Sequence, residues 1–196
     1  MMTRCINTLV TLILLSVFCA ADSPHLTALN PSRDRAIKAM RIAAGFYHSK
    51  VASHGGYVYH YSIDLSQRWG EGVASKDQIW VQPPGTPTVG MAFLRAYQST
   101  NDQQFLDAAQ DAALALVAGQ LKSGGWTNSI DFDPKGSLVA DYRNRPGRGK
   151  NNSSLDDGQT QSALLFLIQL DDEISFSNSA IHQVVEIGLD ALLAAQ

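Results

Sequence analysis

Leu114-Ala115-Leu116-Val117-Ala118-Gly119-Gln120 and Asp190-Ala191-Leu192-Leu193-Ala194-Ala195-Gln196 close two helical runs of equal span, Phe105 to Gln120 and Ile181 to Gln196. Each run follows another helical stretch, and Phe93-Leu94 and Phe166-Leu167 hold matching places in those stretches. The repeating unit is a helical hairpin that recurs every seventy-odd residues. Repeated hairpins of this kind stack side by side and share a core. The first copy is followed by Leu121-Lys122-Ser123-Gly124-Gly125-Trp126, while the second ends on the last residue given. The repeat therefore predicts a second Gly-Gly-Trp beyond Gln196, and the expectation is an incomplete module, a fragment or a truncated product.

Apolar spacing extends the helical reading in both directions. Ser32 is placed to cap a helix to about Ser49, because Ile37, Met40, Ala44, Tyr47 and Val51 recur at helical intervals. His54-Gly55-Gly56 breaks it, and the aromatic, β-branched run Tyr57 to Ile63 reads as a short strand with Ile79-Trp80-Val81 as its partner. Pro83-Pro84-Gly85-Thr86-Pro87 is a rigid turn, and Thr86 or Thr88 then starts a helix to about Tyr97. The helix from Thr100-Asn101-Asp102 to about Leu121 buries Phe105, Ala109, Ala112 and Leu116. Residues 122–153 form a long Gly-, Asn-, Pro- and Arg-rich loop, a length usually reserved for function or disorder. Two more helices follow, Gly158 to Leu170 and Ile181 to Ala195, the last capped by Ser177 or Asn178. The expected class is all-α: a partial (α/α) toroid of helical hairpins with a small β-hairpin insertion near the N-terminus.

The 196 residues are 45% hydrophobic and 17% charged, which excludes disorder as the main state. The net charge of −3 and pI near 5.9 speak against a nucleic-acid partner. Arg4, the apolar run Ile6 to Phe18 and the small residues Cys19-Ala20-Ala21 read as a signal peptide, residues 1–21, with residues 22–196 as the folded part. Its removal takes both cysteines with it, so thiolate chemistry and disulfides are excluded from the exported chain. No other apolar stretch reaches membrane-spanning length. The expected location is secreted or periplasmic. Phosphate loops, H-E-x-x-H and G-x-S-x-G are absent from the sequence.

Four constellations are able to carry chemistry. Gln120 to Trp126 ends a helix: Gln120 can bond free backbone groups and Trp126 can staple the helix end, or offer a ring to a sugar. Asp156 and Asp157 open a helix, either as a cap alone, with Asp157 as N-cap and Asp156 as its dipole partner, or with one carboxylate as cap and the other spare for a cation or ligand. Arg143, Arg145, Arg148 and Lys150 form a cationic loop on an acidic protein, either a solvated surface or a site for a carboxylated sugar. Tyr57, Tyr59 and Tyr61 alternate beside His54, as core or as a sugar-stacking row, and His54 is either structural or exposed in a cleft.

Four stretches together resemble the bacterial pectic acid lyase family, pectate lyases built on an (α/α) toroid. They are His54-Gly55-Gly56-Tyr57, Val81-Gln82-Pro83-Pro84-Gly85-Thr86-Pro87, Gln120 to Trp126 and Leu155-Asp156-Asp157, and the resemblance covers roughly residues 30–196. It implies calcium-dependent β-elimination of polygalacturonate, an acidic polysaccharide. The family's Asp-Asp motif falls on Asp156 and Asp157, which it implicates in Ca²⁺ and substrate binding. Asp157, Arg143, Arg145, Arg148, Trp126 and His54 are the candidate substrate contacts. The family's arginine base lies later in its sequence, and no position here matches it. Gly158 and Gln159 stand where the family often has a third acid and a threonine. The competing readings are a non-catalytic carbohydrate-binding relic and another toroid enzyme, such as a glycuronyl hydrolase; the absence of a D-x-D-D run weighs against a terpene cyclase relative.

Overall fold

The computed structural model describes residues 31–196, and the predicted signal peptide lies outside them. Helix α1 (Pro31–Phe46) starts on a proline, which a first helical turn accepts because its missing N–H has no intrahelical partner there. It runs on into a π-helical turn, Tyr47–Val51. Strands β1 (His60–Tyr61) and β2 (Arg68–Trp69) form a small antiparallel hairpin, with His60 opposite Trp69. Strand β3 (Gln78–Trp80) pairs instead with β4 (Ser129–Asp131), Ile79 facing Ile130.

The last pairing corrects the sequence reading, which gave Ile79 to Val81 to the tyrosine run. One backbone bond does join them, Trp80 N–H to Tyr57 O at 2.8 Å. All three residues of β3 are buried, however, and its ladder partner is an equally buried segment from within the long loop. A strand covered on both faces needs a partner in the interior, and the tyrosine run surfaces at His60.

Helices α2 (Thr86–Thr100) and α3 (Gln103–Gly119) make one hairpin, and α4 (Gln159–Glu173) and α5 (Ser179–Ala194) the next. Asp102 caps α3, its Oδ1 accepting from Gln104 N at 3.1 Å, and Asn178 caps α5 through Ala180 N at 3.1 Å. The hairpins stack with α2 against α4 and α3 against α5. At Gly90 a Cβ would come within 2.4 Å of the Phe166 ring, so α2 and α4 meet at a distance only glycine permits. The shared core holds Leu94, Phe105, Leu116, Phe166, Leu167 and Ile181, including two of the four residues read as the buried face of α3, and Ala109 and Ala112 are buried with them.

Two threonines repeat one device. The Thr86 hydroxyl accepts from Tyr57 N at 2.9 Å and donates to Tyr57 O at 3.2 Å. The Thr160 hydroxyl accepts from Trp126 N at 3.1 Å and donates to Trp126 O at 3.2 Å. Tyr57 follows Gly55-Gly56 and Trp126 follows Gly124-Gly125, so each Gly-Gly-aromatic turn after one helix is gripped by a buried threonine near the start of the next. Gln120 adds a cross-tie, its fully buried amide donating to Gly124 O at 2.8 Å and Val184 O at 2.9 Å.

The long loop is ordered by a buried carboxylate. Asp131 accepts from Gln78 Nε2 at 2.8 Å, Leu138 N at 3.1 Å and Asp133 N at 3.2 Å. A buried charge is tolerable when donors surround it in this way.

At the α4–α5 turn, His182 Nδ1 lies 2.8 Å from Oδ2 of the buried Asp171. The hydrogen bond to Asp171 raises the His182 pKa above its ordinary 6.5, with the charges of Asp171 and Glu186 adding to it. A base whose pKa is raised by folding stabilises the fold below its unfolded pKa, and that contribution is lost as pH rises through the folded value.

Two outcomes follow. Thr160→Val keeps the shape but leaves the buried Trp126 N–H without an acceptor, and urea denaturation should show a loss of about 2 kcal/mol. The urea midpoint should fall as pH rises from about 6 to about 8, and His182→Asn should remove that dependence.

Candidate functional site

Residues 155–158 decide how α4 begins. Asp157 has φ 46° and Gly158 φ 73°, two successive left-handed residues ahead of Gln159. Asp157 was read as the helix cap; the residue at the cap position is Gly158, and the Asp157 side chain makes no capping bond. It turns toward the Pro-Pro turn, where Gln82 Nε2 donates to Asp157 Oδ2 at 3.2 Å. Gln159 Nε2 in turn donates to Gln82 Oε1 at 3.4 Å. Two stretches 75 positions apart thereby meet at one surface.

The loop ahead of β4 joins them. Asn128 O accepts from Val81 N at 2.8 Å and Gln82 N at 3.2 Å, and Asn128 Nδ2 donates to Glu71 Oε2 at 2.9 Å. Tyr59 belongs to the same neighbourhood. Burial first, and then the negative charges of Glu71 and Asp157, together push its phenol up to about 12. At neutral pH it is therefore a proton-bearing hydroxyl beside two carboxylates. Its ring meets Trp80 edge-on, with centroids 6.2 Å apart. Tyr59 Oη, Trp80 Nε1 and Gln159 Oε1 are all buried without a hydrogen-bond partner. Such atoms cost free energy unless a ligand or water satisfies them. Glu71 and Asn128 were not singled out from the sequence, and Gln82 and Gln159 were quoted only within motifs, without a role at the site. The spacing of an amide or acid along a chain carries no sign of which surface it will share.

The other candidate residues lie elsewhere. Trp126, offered as a sugar platform, is fully buried, and its indole N–H donates to Leu116 O at 2.9 Å. It is the staple of the α3 end, and no face of it is left for a ligand. His54 Nε2 lies 2.9 Å from Asp77 Oδ1, and its ring stacks on Phe132 at 4.3 Å. Arg145 also packs on Phe132, at 4.6 Å from the ring centroid, and donates to Asp131 O at 2.9 Å. His54 and Arg145 thus meet around one aromatic ring. Arg148 donates to the carbonyls of Pro134 and Gly136. Arg143 is exposed, and its guanidinium has no ion-pair partner among the described residues.

Calcium takes six to eight oxygens. Among the described residues no three His, Cys, Asp or Glu side chains converge to hold a metal. Asp156 and Asp157 are exposed neighbours at the head of α4, two carboxylates against the six to eight oxygens such an ion takes.

Gly158→Ala isolates the backbone contribution. A Cβ there meets only Pro83, at 3.9 Å, so the left-handed φ is the cost, and denaturant unfolding should show a loss of about 1 kcal/mol. No protein-family model, curated protein or solved structure matches the chain.

Proposed function

We propose that this chain is a secreted, pectate lyase-like protein that binds polygalacturonate with calcium at the Asp156–Asp157 end of α4. On this reading residues 22–196 are part of an (α/α) toroid, to which the stacked hairpins contribute. The observation that carries it is the Gln82–Asp157 contact, which joins the two most distinctive stretches of the resemblance in one polar surface.

The chemistry suits an acidic sugar. In β-elimination the C5–H bond of a uronate breaks, its electron pair forms the C4–C5 double bond, and the C4–O bond to the leaving sugar breaks. The C5 proton goes to a base, and the leaving oxygen takes up a proton. A bound Ca²⁺ would neutralise the uronate carboxylate and so acidify C5–H. Gln82 holds Asp157 in place. No residue of this chain is assigned as the base.

One observation favours a second reading, binding without catalysis. Arg145 and Arg148 are engaged by backbone carbonyls of their own loop, and so are not free to serve as a base.

The exported form, incubated with CaCl₂ and polygalacturonate, should release unsaturated products that absorb in the ultraviolet, and a chelator or Asp157→Asn should abolish the release. Binding to polygalacturonate with no product would support the second reading. Neither binding nor product would overturn both.

A further inference from the structure

Helix α1 buries one of its 16 residues, Ala44. Its three sides have different neighbours. One side lies against α3 and its cap: Arg41 pairs with Asp102, and His48 Nε2 lies 2.7 Å from Asp111 Oδ2. A second side faces α2, where Met40 and Tyr47 line a groove with Ala92 and Phe93. At about 3.6 residues per turn the third side carries Arg35, Lys38, Ile42 and Phe46 in one row. All four are exposed, Ile42 at 66% and Phe46 at 51%. The outer side of a surface helix is ordinarily polar, and here two large apolar side chains stand on it beside two cations.

The β1–β2 hairpin brings a third apolar side chain to this side. Ile63 stands in the turn between the strands, fully exposed, and it lines one cavity with Phe46. The turn is tied from within: Asp64 Oδ1 accepts from Ser62 Oγ at 2.6 Å, Ser66 Oγ at 2.9 Å and Ser66 N at 3.1 Å. Ile63 is thereby held clear of the body of the protein. Lys50, past the end of α1, stands on the other flank of the hairpin beside Tyr61 and Leu65. Arg35, Lys38 and Lys50 have no ion-pair partner among the described residues. The acids on the same elements are Asp34 and Asp64, and Asp64 is turned into its two serines.

We infer that this face, the apolar prongs Ile42, Phe46 and Ile63 with Arg35, Lys38 and Lys50 around them, docks on the surface of an anionic lipid bilayer. The charge is complementary: local cations on a chain of net charge −3 select a negative surface. A second copy presents the same cations, and like charges oppose that pairing. The prongs select lipid over a polysaccharide. Aliphatic side chains raised on a helix and a hairpin tip enter the boundary between headgroups and acyl chains, whereas a sugar ring stacks on an aromatic face. Apolar insertion and headgroup attraction add, which gives a reversible, peripheral contact. No helix among the described residues is long and apolar enough to cross a membrane. The inference does not depend on the polygalacturonate reading, because none of these six residues belongs to the Asp157 surface.

Vesicle sedimentation tests it with the exported form, which lacks the apolar run Ile6 to Phe18 and so brings no leader into the lipid. The vesicles are equimolar phosphatidylglycerol and phosphatidylcholine, or phosphatidylcholine alone, with a chelator present to remove calcium bridges. Binding to the anionic vesicles should be about tenfold tighter or more, and high salt should weaken it. The Arg35→Gln, Lys38→Gln double variant should lose about tenfold in affinity. Ile63→Ser and the Ile42→Ser, Phe46→Ser double variant should each lose several-fold, and Asp157→Asn nothing. Should a serine variant lose its circular-dichroism signal, Ile63→Trp decides: its added fluorescence over wild type should shift to the blue on anionic vesicles. No binding to anionic vesicles, or wild-type affinity in both the apolar and the cationic variants, would overturn the inference. So would a concentration-dependent dimer that Ile42→Ser, Phe46→Ser abolishes, which identifies a second copy as the occupant of this face.

Discussion

A buried threonine hydroxyl that grips both backbone polar groups of an aromatic residue is the contact on which the rest of this structure depends. It occurs twice, Thr86 on Tyr57 and Thr160 on Trp126. A tight Gly-Gly turn at the end of a helix buries the N–H of the aromatic residue after it, and the threonine hydroxyl is its acceptor, while the carbonyl also accepts from Trp80 N or Ser154 N. One hydroxyl is both donor and acceptor, so a single small side chain bonds both groups. Each grip also sets where the next helix starts relative to the last one. The stacking of the hairpins, and the burial of Trp126 against the end of α3, follow from that placement.

The candidate site is a consequence of both grips. Thr86 fixes the helix that follows the Pro-Pro turn carrying Gln82, and Thr160 fixes the helix preceded by Asp157. Were either helix free to shift by a turn, Gln82 and Asp157 would part. The surface they share joins the amides of Gln82, Gln159 and Asn128 to the carboxylates of Asp157 and Glu71, with Tyr59 close enough to feel both charges. That combination of carboxylates, amides and an aromatic edge is the composition a sugar-binding surface needs, since hydroxyls want both donors and acceptors while ring faces want apolar contact.

Two clusters of cations on an acidic chain have different fates. In the long loop, Arg145 and Arg148 are absorbed by carbonyls and by the Phe132 and Tyr142 rings. Their charge there serves to hold a segment whose centre is the buried Asp131. Around the hairpin, Arg68 donates to Lys76 O and lies by the Tyr61 ring, and Lys50 and Lys76 stand near it without carboxylate partners. Clustering in the sequence marked the first group as conspicuous. The second is spread over three elements and came together only on folding.

The sequence by itself determined the helices, because apolar spacing at three and four residues, Asp102 and Asn178 at cap positions, and the Gly-Gly breaks are local signals. It also determined the hairpin repeat, and the staple reading of Gln120 and Trp126 could be drawn from a helix end that needs partners. Only the tertiary structure decided that β3 pairs with β4, that Trp126 has no exposed face, and that Asp157 turns to Gln82 in place of capping α4. It also decided that Tyr59, Glu71 and Asn128 belong beside Asp157. Each of these depends on which polar group finds a partner among segments dozens of residues apart. Local propensity has no information about that choice, and the satisfaction of polar groups inside a packed core settles it.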